Sequence, residues 1–187
     1  MTTTTTTTTV RNGVPTDKLF GAINKTGEQP ELAQFRFTAR NRWVDGTAST
    51  STMTDWYGLS ANHDYATPYE ATADHPTLGD NRGPSPQEYV LHALAACVTG
   101  GIVTGAAARK IELESIESVV EGDIDVRGVL GVSDHVRNGF SAIRCRFTVK
   151  GDAPAETLEA LVEAGQRFSA VYDMLTANTP VEIEAAV

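Results

Sequence analysis

Apolar and polar positions change their period several times along the chain, and each change marks an element. Residues 33–44 alternate, with Phe35, Phe37, Ala39 and then Trp43 as the apolar set, which is the pattern of a half-buried strand. Asp45-Gly46 follows as a hairpin turn. Residues 47–57 are rich in Thr and Ser, end in Trp56-Tyr57, and read as the return strand. Residues 58–85 carry Pro68, Pro76, Gly79, Gly83 and Pro84, so they are predicted to be mainly loop, with one short strand over 69–72.

The clearest element comes next. Ser85-Pro86-Gln87-Glu88 is a helix start: Ser caps, Pro takes the first helical position, and amide and acidic groups follow. The helix runs through Tyr89, Leu91, Leu94, Cys97, Ile102 and Val103 to Ala108 and is apolar nearly all round, the mark of an element buried on most sides. Gly100-Gly101 in its interior costs about 1 kcal/mol per glycine relative to Ala, which close backbone approach to another helix would offset. Arg109 and Lys110 suit its C-terminal dipole.

Two strands are predicted beyond it, over 111–126 and 140–150. The second places Ile143, Cys145, Phe147 and Val149 on one face and Arg144, Arg146, Thr148 and Lys150 on the other. Residues 155–168 form an amphipathic helix with Leu158, Leu161, Val162 and Ala164 inward. Residues 169–176 form a second short helix, and 179–187 a final strand. At the other end, Pro15-Thr16 offers a helix start before Leu19, Phe20, Ala22 and Ile23. Residues 1–13, with eight consecutive threonines, are expected to be a disordered tail, and 14–187 a single domain. The order of elements is α+β, with antiparallel or mixed sheets wrapped around a long buried central helix.

Composition narrows the function classes. A net charge of −9 without any Lys/Arg cluster argues against binding nucleic acid or an anionic membrane surface. No apolar run is expected to reach membrane-spanning length. Two cysteines, no CxxC and no signal-peptide pattern point to the reducing cytoplasm, where an acting cysteine acts as a thiol. No metal set, phosphate loop or nucleophile elbow is found, so neither metal nor cofactor is expected.

Cys97 is the candidate centre. It lies eleven residues beyond Pro86, out of reach of its own helix's N-terminal dipole, and Ala93, Leu94, Gly100 and Gly101 stand at the neighbouring turns. Any group that lowers its pKa must therefore arrive through the fold. Burial habits alone make both Cys97 and Cys145 core residues. Glu88 and His92 can meet on one face of the helix. Glu88 and Cys97 are separated by about 900° of helical rotation and point to opposite sides.

The run from Gly83 to Cys97, Gly-Pro-Ser-Pro-Gln-Glu-Tyr-Val-Leu-His-Ala-Leu-Ala-Ala-Cys, resembles the signature of the OsmC/Ohr family. In that family a Gly-Pro-x-Pro-x-Glu start leads into a Leu/Ala-rich helix carrying the reactive cysteine. Residues 40–46 and 158–180 extend the likeness. The resemblance implies an intertwined homodimer and reduction of organic hydroperoxides by a cysteine thiolate, with an Arg and a Glu as activating groups. Carried over by position, Cys97 attacks; Glu88 is the substitute for the assisting Glu, Arg82, Arg40 and Arg42 are the candidates for the activating Arg, with Arg82 taken first, and Gln87, Arg42 and Ser169 are expected to contact substrate. The chain departs from the pattern where the second, resolving cysteine belongs, because Ser169 stands there. The acidic position of the family is Gln87, with Glu88 one later.

Two readings follow. One is a one-cysteine thiol peroxidase that takes a small-molecule hydroperoxide and an external thiol reductant. The other is a catalytically silent protein of the same fold binding a small apolar ligand at the dimer interface, with Cys97 as lining. A transferase or hydrolase using Cys97 covalently ranks behind both, for want of a nearby base.

Overall fold

The computed structural model describes residues 9–186, and the chain divides into two compact units, one up to Val90 and one from Leu91 onward. Most of the expected tail lies outside the described residues, but its last residues do not behave as a tail. β1 (Val10–Arg11) and β2 (Val14–Pro15) form a small hairpin. Asn12 and Gly13 adopt φ of 48° and 77°. That pair of left-handed residues is the tight turn Asn-Gly favours, and its twist matches the flanking strands. α1 (Thr16–Glu28) follows, as the Pro-Thr start predicts.

The first unit is built on a four-stranded antiparallel sheet. Its strands are β3 (Arg36–Phe37), β4 (Arg40–Asp45), β5 (Ala48–Gly58) and β6 (Ala61–Ala73). β3 and β4 pair end to end along one edge of β5, and β6 takes the other. β6 corrects the loop expected over 58–85. The turn that launches it is Leu59-Ser60, both at left-handed φ (52° and 60°), with neither the Gly nor the Asn that such backbone favours. Pro68 is accommodated because the ladder between β5 and β6 is interrupted between Asp64 and Tyr69.

The segment from β6 to the next helix is organised by Asp74, which is 1% exposed. Its carboxylate accepts hydrogen bonds from Thr47 Oγ1 at 2.6 Å and from the backbone N–H groups of His75, Asp80 and Arg82 at 2.8, 3.1 and 3.1 Å. A Cβ on Gly79 would collide with that carboxylate. α2 (Pro86–Ala108) then starts, with the Tyr89 hydroxyl donating to the Thr72 carbonyl at 2.7 Å.

In the second unit α2 is followed by β7 (Leu113–Asp123), α3 (Val126–Val129), β8 (Ala142–Gly151), α4 (Ala155–Arg167) and α5 (Ala170–Thr176). β7 and β8 form an antiparallel ribbon in register from Leu113↔Gly151 to Asp123↔Ala142. Leu94, Val98, Ile102 and Ala106 of α2 pack with Ile111 and Leu161 as the core, and Ile116, Val120, Ile143, Phe147, Leu158 and Tyr172 close around them. At 23 residues, α2 is long and apolar enough to cross a membrane by length and composition, contrary to the expectation from sequence; a protein's core helix meets the same test.

Two further expectations are corrected here. Cys145 is exposed rather than core. Its short side chain stops short of the cluster that the longer Ile143 and Phe147 reach. The strand expected over 179–187 does not form among the described residues: a strand needs a ladder partner, and 179–186 has none. Val181 and Ile183 are left 78% and 92% exposed.

Candidate functional site

Cys97 lies near the middle of α2, half-buried, and two glycines decide what faces it. A Cβ built on Gly101 would stand 3.0 Å from the Gly165 Cα. One built on Gly165 would stand 2.9 Å from the Val98 carbonyl oxygen and 2.8 Å from Ile102 Cγ1. α4 therefore rides on α2 backbone to backbone, a separation that any side chain would enlarge. Ser169 follows Gly165 by four residues and Cys97 precedes Gly101 by four, so the crossing carries Ser169 toward Cys97.

Ser169 caps α5. Its backbone is extended (φ −79°, ψ 116°) and its hydroxyl oxygen accepts from the Tyr172 N–H at 3.1 Å. It is 3% exposed. The first N–H groups of a helix have no partner inside the helix, and here those of Ala170 and Val171, with the Ser169 hydroxyl, are the donors that favour the Cys97 thiolate. Burial pushes the thiol up. The hydrogen bonds from Ser169, Val171 and Ala170 outweigh it and hold Cys97 below the usual thiol range. Cys145 is exposed, but the ribbon still covers part of its thiol, and that partial desolvation, the one cause acting there, pushes it up.

The other predicted site residues all belong to the first unit, and local partners engage three of them. The Glu88 carboxylate accepts from the Ser85 N–H at 2.8 Å and from its hydroxyl at 2.9 Å, while the Glu88 N–H donates to Ser85 Oγ at 3.3 Å. This reciprocal capping box holds Glu88 below the usual carboxylate range. The Arg82 guanidinium is paired with Asp80 and, at 3.2 Å, with Asp45. Arg40 pairs with Asp55 at 2.6 Å. Arg42 is exposed on β4 opposite Thr50, and Gln87 is half-buried in the first turn of α2. Within the second unit the structure thus joins Cys97 to Ser169. Sequence reasoning missed the amides of Ala170 and Val171 and the role of Gly165. The signals were a Ser at a helix start and a glycine inside a helical pattern.

A cleft on the β7–β8 ribbon is lined by Val119, Glu121, Arg144, Cys145 and Arg146. Among the described residues no cluster of three or more His, Cys, Asp or Glu could hold a metal ion.

No curated protein matches the chain. Solved structures do. An OsmC-like protein from Mycoplasma pneumoniae is similar at a TM-score of 0.58 and 14% identity, over 75% of this chain and 86% of that one. A Psychrobacter arcticus protein described as osmotic-stress induced and of the detoxification response gives 0.55 and 15%, over 75% and 88%. A protein from Aquifex aeolicus gives 0.50 and 13%, over 75% and 86%. At these identities the likeness is one of fold, an α+β arrangement with antiparallel sheets. The model of the family described as OsmC-like protein matches residues 79–184, more than half of the chain and the whole of the segment from the capping box through Cys97 to Ser169. The chain belongs to the OsmC-like family.

Proposed function

We propose that the protein is a thiol-dependent peroxidase that reduces organic hydroperoxides through Cys97, in the one-cysteine manner, with an external thiol as reductant. The observation that carries this reading is the set of donors on Cys97, which lowers its pKa despite burial. Family membership supports a peroxidase-like role at the level of the family. The Cys97 thiolate attacks the terminal oxygen of ROOH; the O–O bond breaks, RO⁻ takes a proton and leaves as ROH, and Cys97 becomes a sulfenic acid. One external thiol condenses with it, releasing water and forming a mixed disulfide. A second thiol releases Cys97 and carries away the oxidised reductant.

The reading includes a homodimer. Ala96 and Gly100 lie exposed on α2, and among the described residues nothing stands within 4 Å of a Cβ built on Gly100. Small residues on one face of a helix allow a second helix to approach closely, and Val181 and Ile183 are further apolar surface for a second copy to cover.

A second reading, a catalytically silent protein binding a small apolar ligand at that interface, draws on the engagement of Glu88 and Arg82 by local partners. Treatment with cumene hydroperoxide, followed by intact mass and sulfenic-acid trapping in the Cys145→Ala background, separates the two. Stoichiometric oxidation faster than that of free cysteine, lost in Cys97→Ser, is the expected result. Oxidation no faster than free cysteine sinks the peroxidase reading in favour of the ligand binder.

A further inference from the structure

The segment after α5 has the pattern of a strand and no strand to pair with. Val181, Ile183 and Ala185 alternate with Glu182 and Glu184, and Pro180 stands at the first position, where a strand tolerates its missing N–H. Residues 177–186 join no ladder and are all exposed. In the same unit the β7–β8 ribbon has two strands, and so an open edge on each side. An open edge presents unpaired N–H and C=O groups, the template for an added strand.

Charge separates the two edges. Ile143, Phe147 and Val149 of β8 pack toward the core, so alternation puts Arg144, Arg146 and Lys150 on its outer face. Arg144 is engaged by Asp123 at 3.0 Å, whereas among the described residues no ion pair engages Arg146 or Lys150. On the outer face of β7 stand Glu117 and Glu121, opposite Thr148 and Arg144. A strand that turns Glu182 and Glu184 outward meets cations along β8 and like charges along β7. Opposite charges on neighbouring strands stabilise a sheet, and like charges destabilise it. On the inner side Val181 and Ile183 extend the row of Ile143, Cys145, Phe147 and Val149, in which Cys145 is left exposed.

We propose that residues 180–186 of a second copy of this chain add as a third strand to the open edge of β8, with Glu182 and Glu184 beside Arg146 and Lys150 and with Val181 and Ile183 on the Cys145 side. The exchange is reciprocal, so it closes at two copies. It rests on the homodimer proposed above and is independent of the peroxidase chemistry.

The test uses the full chain. The dimer dissociation constant is measured by sedimentation over a dilution series. Arg146→Glu with Lys150→Glu is expected to raise it about tenfold, and adding Glu182→Lys with Glu184→Lys to that variant is expected to restore it. In the Cys97→Ser background, Val181→Cys and Ile183→Cys are each oxidised with diamide. One of the two is expected to form a disulfide with Cys145 of the other copy, seen as a dimer on a non-reducing gel, because opposed strand positions lie within the roughly 7 Å that a disulfide spans. A dimer with the parental constant in the charge-reversed variant and no cross-link in either cysteine variant overturns the proposal and leaves the homodimer standing. A parent chain that stays monomeric at every concentration removes the homodimer and the proposal together. A disulfide to Cys145 within one chain overturns the exchange, since the segment would then cover its own ribbon.

Discussion

Gly165 sits against Gly101 with so little room that a Cβ on either would stand 2.8 to 3.0 Å from its nearest atom across the crossing. For Gly165 those atoms are Ile102 Cγ1 and the Val98 carbonyl, and the second is backbone. Gly165→Ala is therefore expected to force α4 away from α2 and to destabilise the chain by about 1–3 kcal/mol, the usual effect of overpacking. Gly105, on α2, is the control, because a Cβ there meets only Leu161 Cδ2 at 3.5 Å, an ordinary contact. Gly105→Ala is expected to leave stability unchanged or raise it by up to about 1 kcal/mol through helix propensity. Urea unfolding of the two variants checks the contrast; equal effects would mean that the crossing is not tight.

Asp74 ties stability to acid pH. Its carboxylate is held at about 2, against an ordinary value of 3.8, chiefly by the Thr47 hydroxyl and then by the Arg82 N–H. Burial opposes this, and the N–H groups of His75 and Asp80 add to it. A carboxylate with a depressed folded pKa contributes stability that is present above the unfolded value and disappears as pH falls through the folded one. The melting temperature is thus expected to fall between about pH 4 and pH 2 partly because of this single group. Asp74→Asn should lower the melting temperature at neutral pH and flatten its dependence in that window. A variant with the parental slope there would assign the acid sensitivity to other carboxylates.

What the sequence made legible is what local chemistry decides. Ser85-Pro86-Gln87-Glu88 announces α2 because a cap, a first-position proline and a returning carboxylate are written within four residues, and the structure closes that box. The alternation of residues 140–150 announces β8. β6 was hidden because its turn, Leu59-Ser60, adopts left-handed backbone without Gly or Asn, and because Pro68 falls where the ladder is broken. The hairpin at 9–15 was legible in Asn12-Gly13 and was masked by the low-complexity run before it. For the site, Cys97 stood out through its motif, but its surroundings could not be read along the chain. The donors come from residues 169–171, more than seventy positions away, and reach it through two glycines whose individual signals are weak.

The homodimer proposed above would make Gly100 a sensitive position. Among the described residues nothing stands within 4 Å of a Cβ built there, so a side chain begins in open space. Gly100→Leu is expected to leave the helix content of the protein unchanged and to shift it from dimer to monomer in light scattering coupled to gel filtration. A variant that stays dimeric would place the interface on another face.

The two thiols carry the sharpest contrast. Burial raises Cys145 with nothing to oppose it, whereas at Cys97 the hydrogen bonds of Ser169, Val171 and Ala170 overcome burial. Raw alkylation rates would mix this difference with access, since Cys145 is exposed and Cys97 half-buried. Access scales the rate at every pH by one factor, but the midpoint of the pH profile reports only the thiolate fraction. Mass-resolved alkylation of both residues in the same sample is therefore expected to give a lower midpoint for Cys97 than for Cys145, even if Cys145 reacts faster at high pH. The thiolate of Cys97 also adds stability above the ordinary thiol range, and this is lost as pH falls through its folded midpoint. Cys97→Ala should remove that part of the stability profile, and Cys145→Ala should not. Coincident midpoints for the two residues would mean that the donors at the start of α5 do not act on the sulfur in solution, and Cys97 would revert to a core residue.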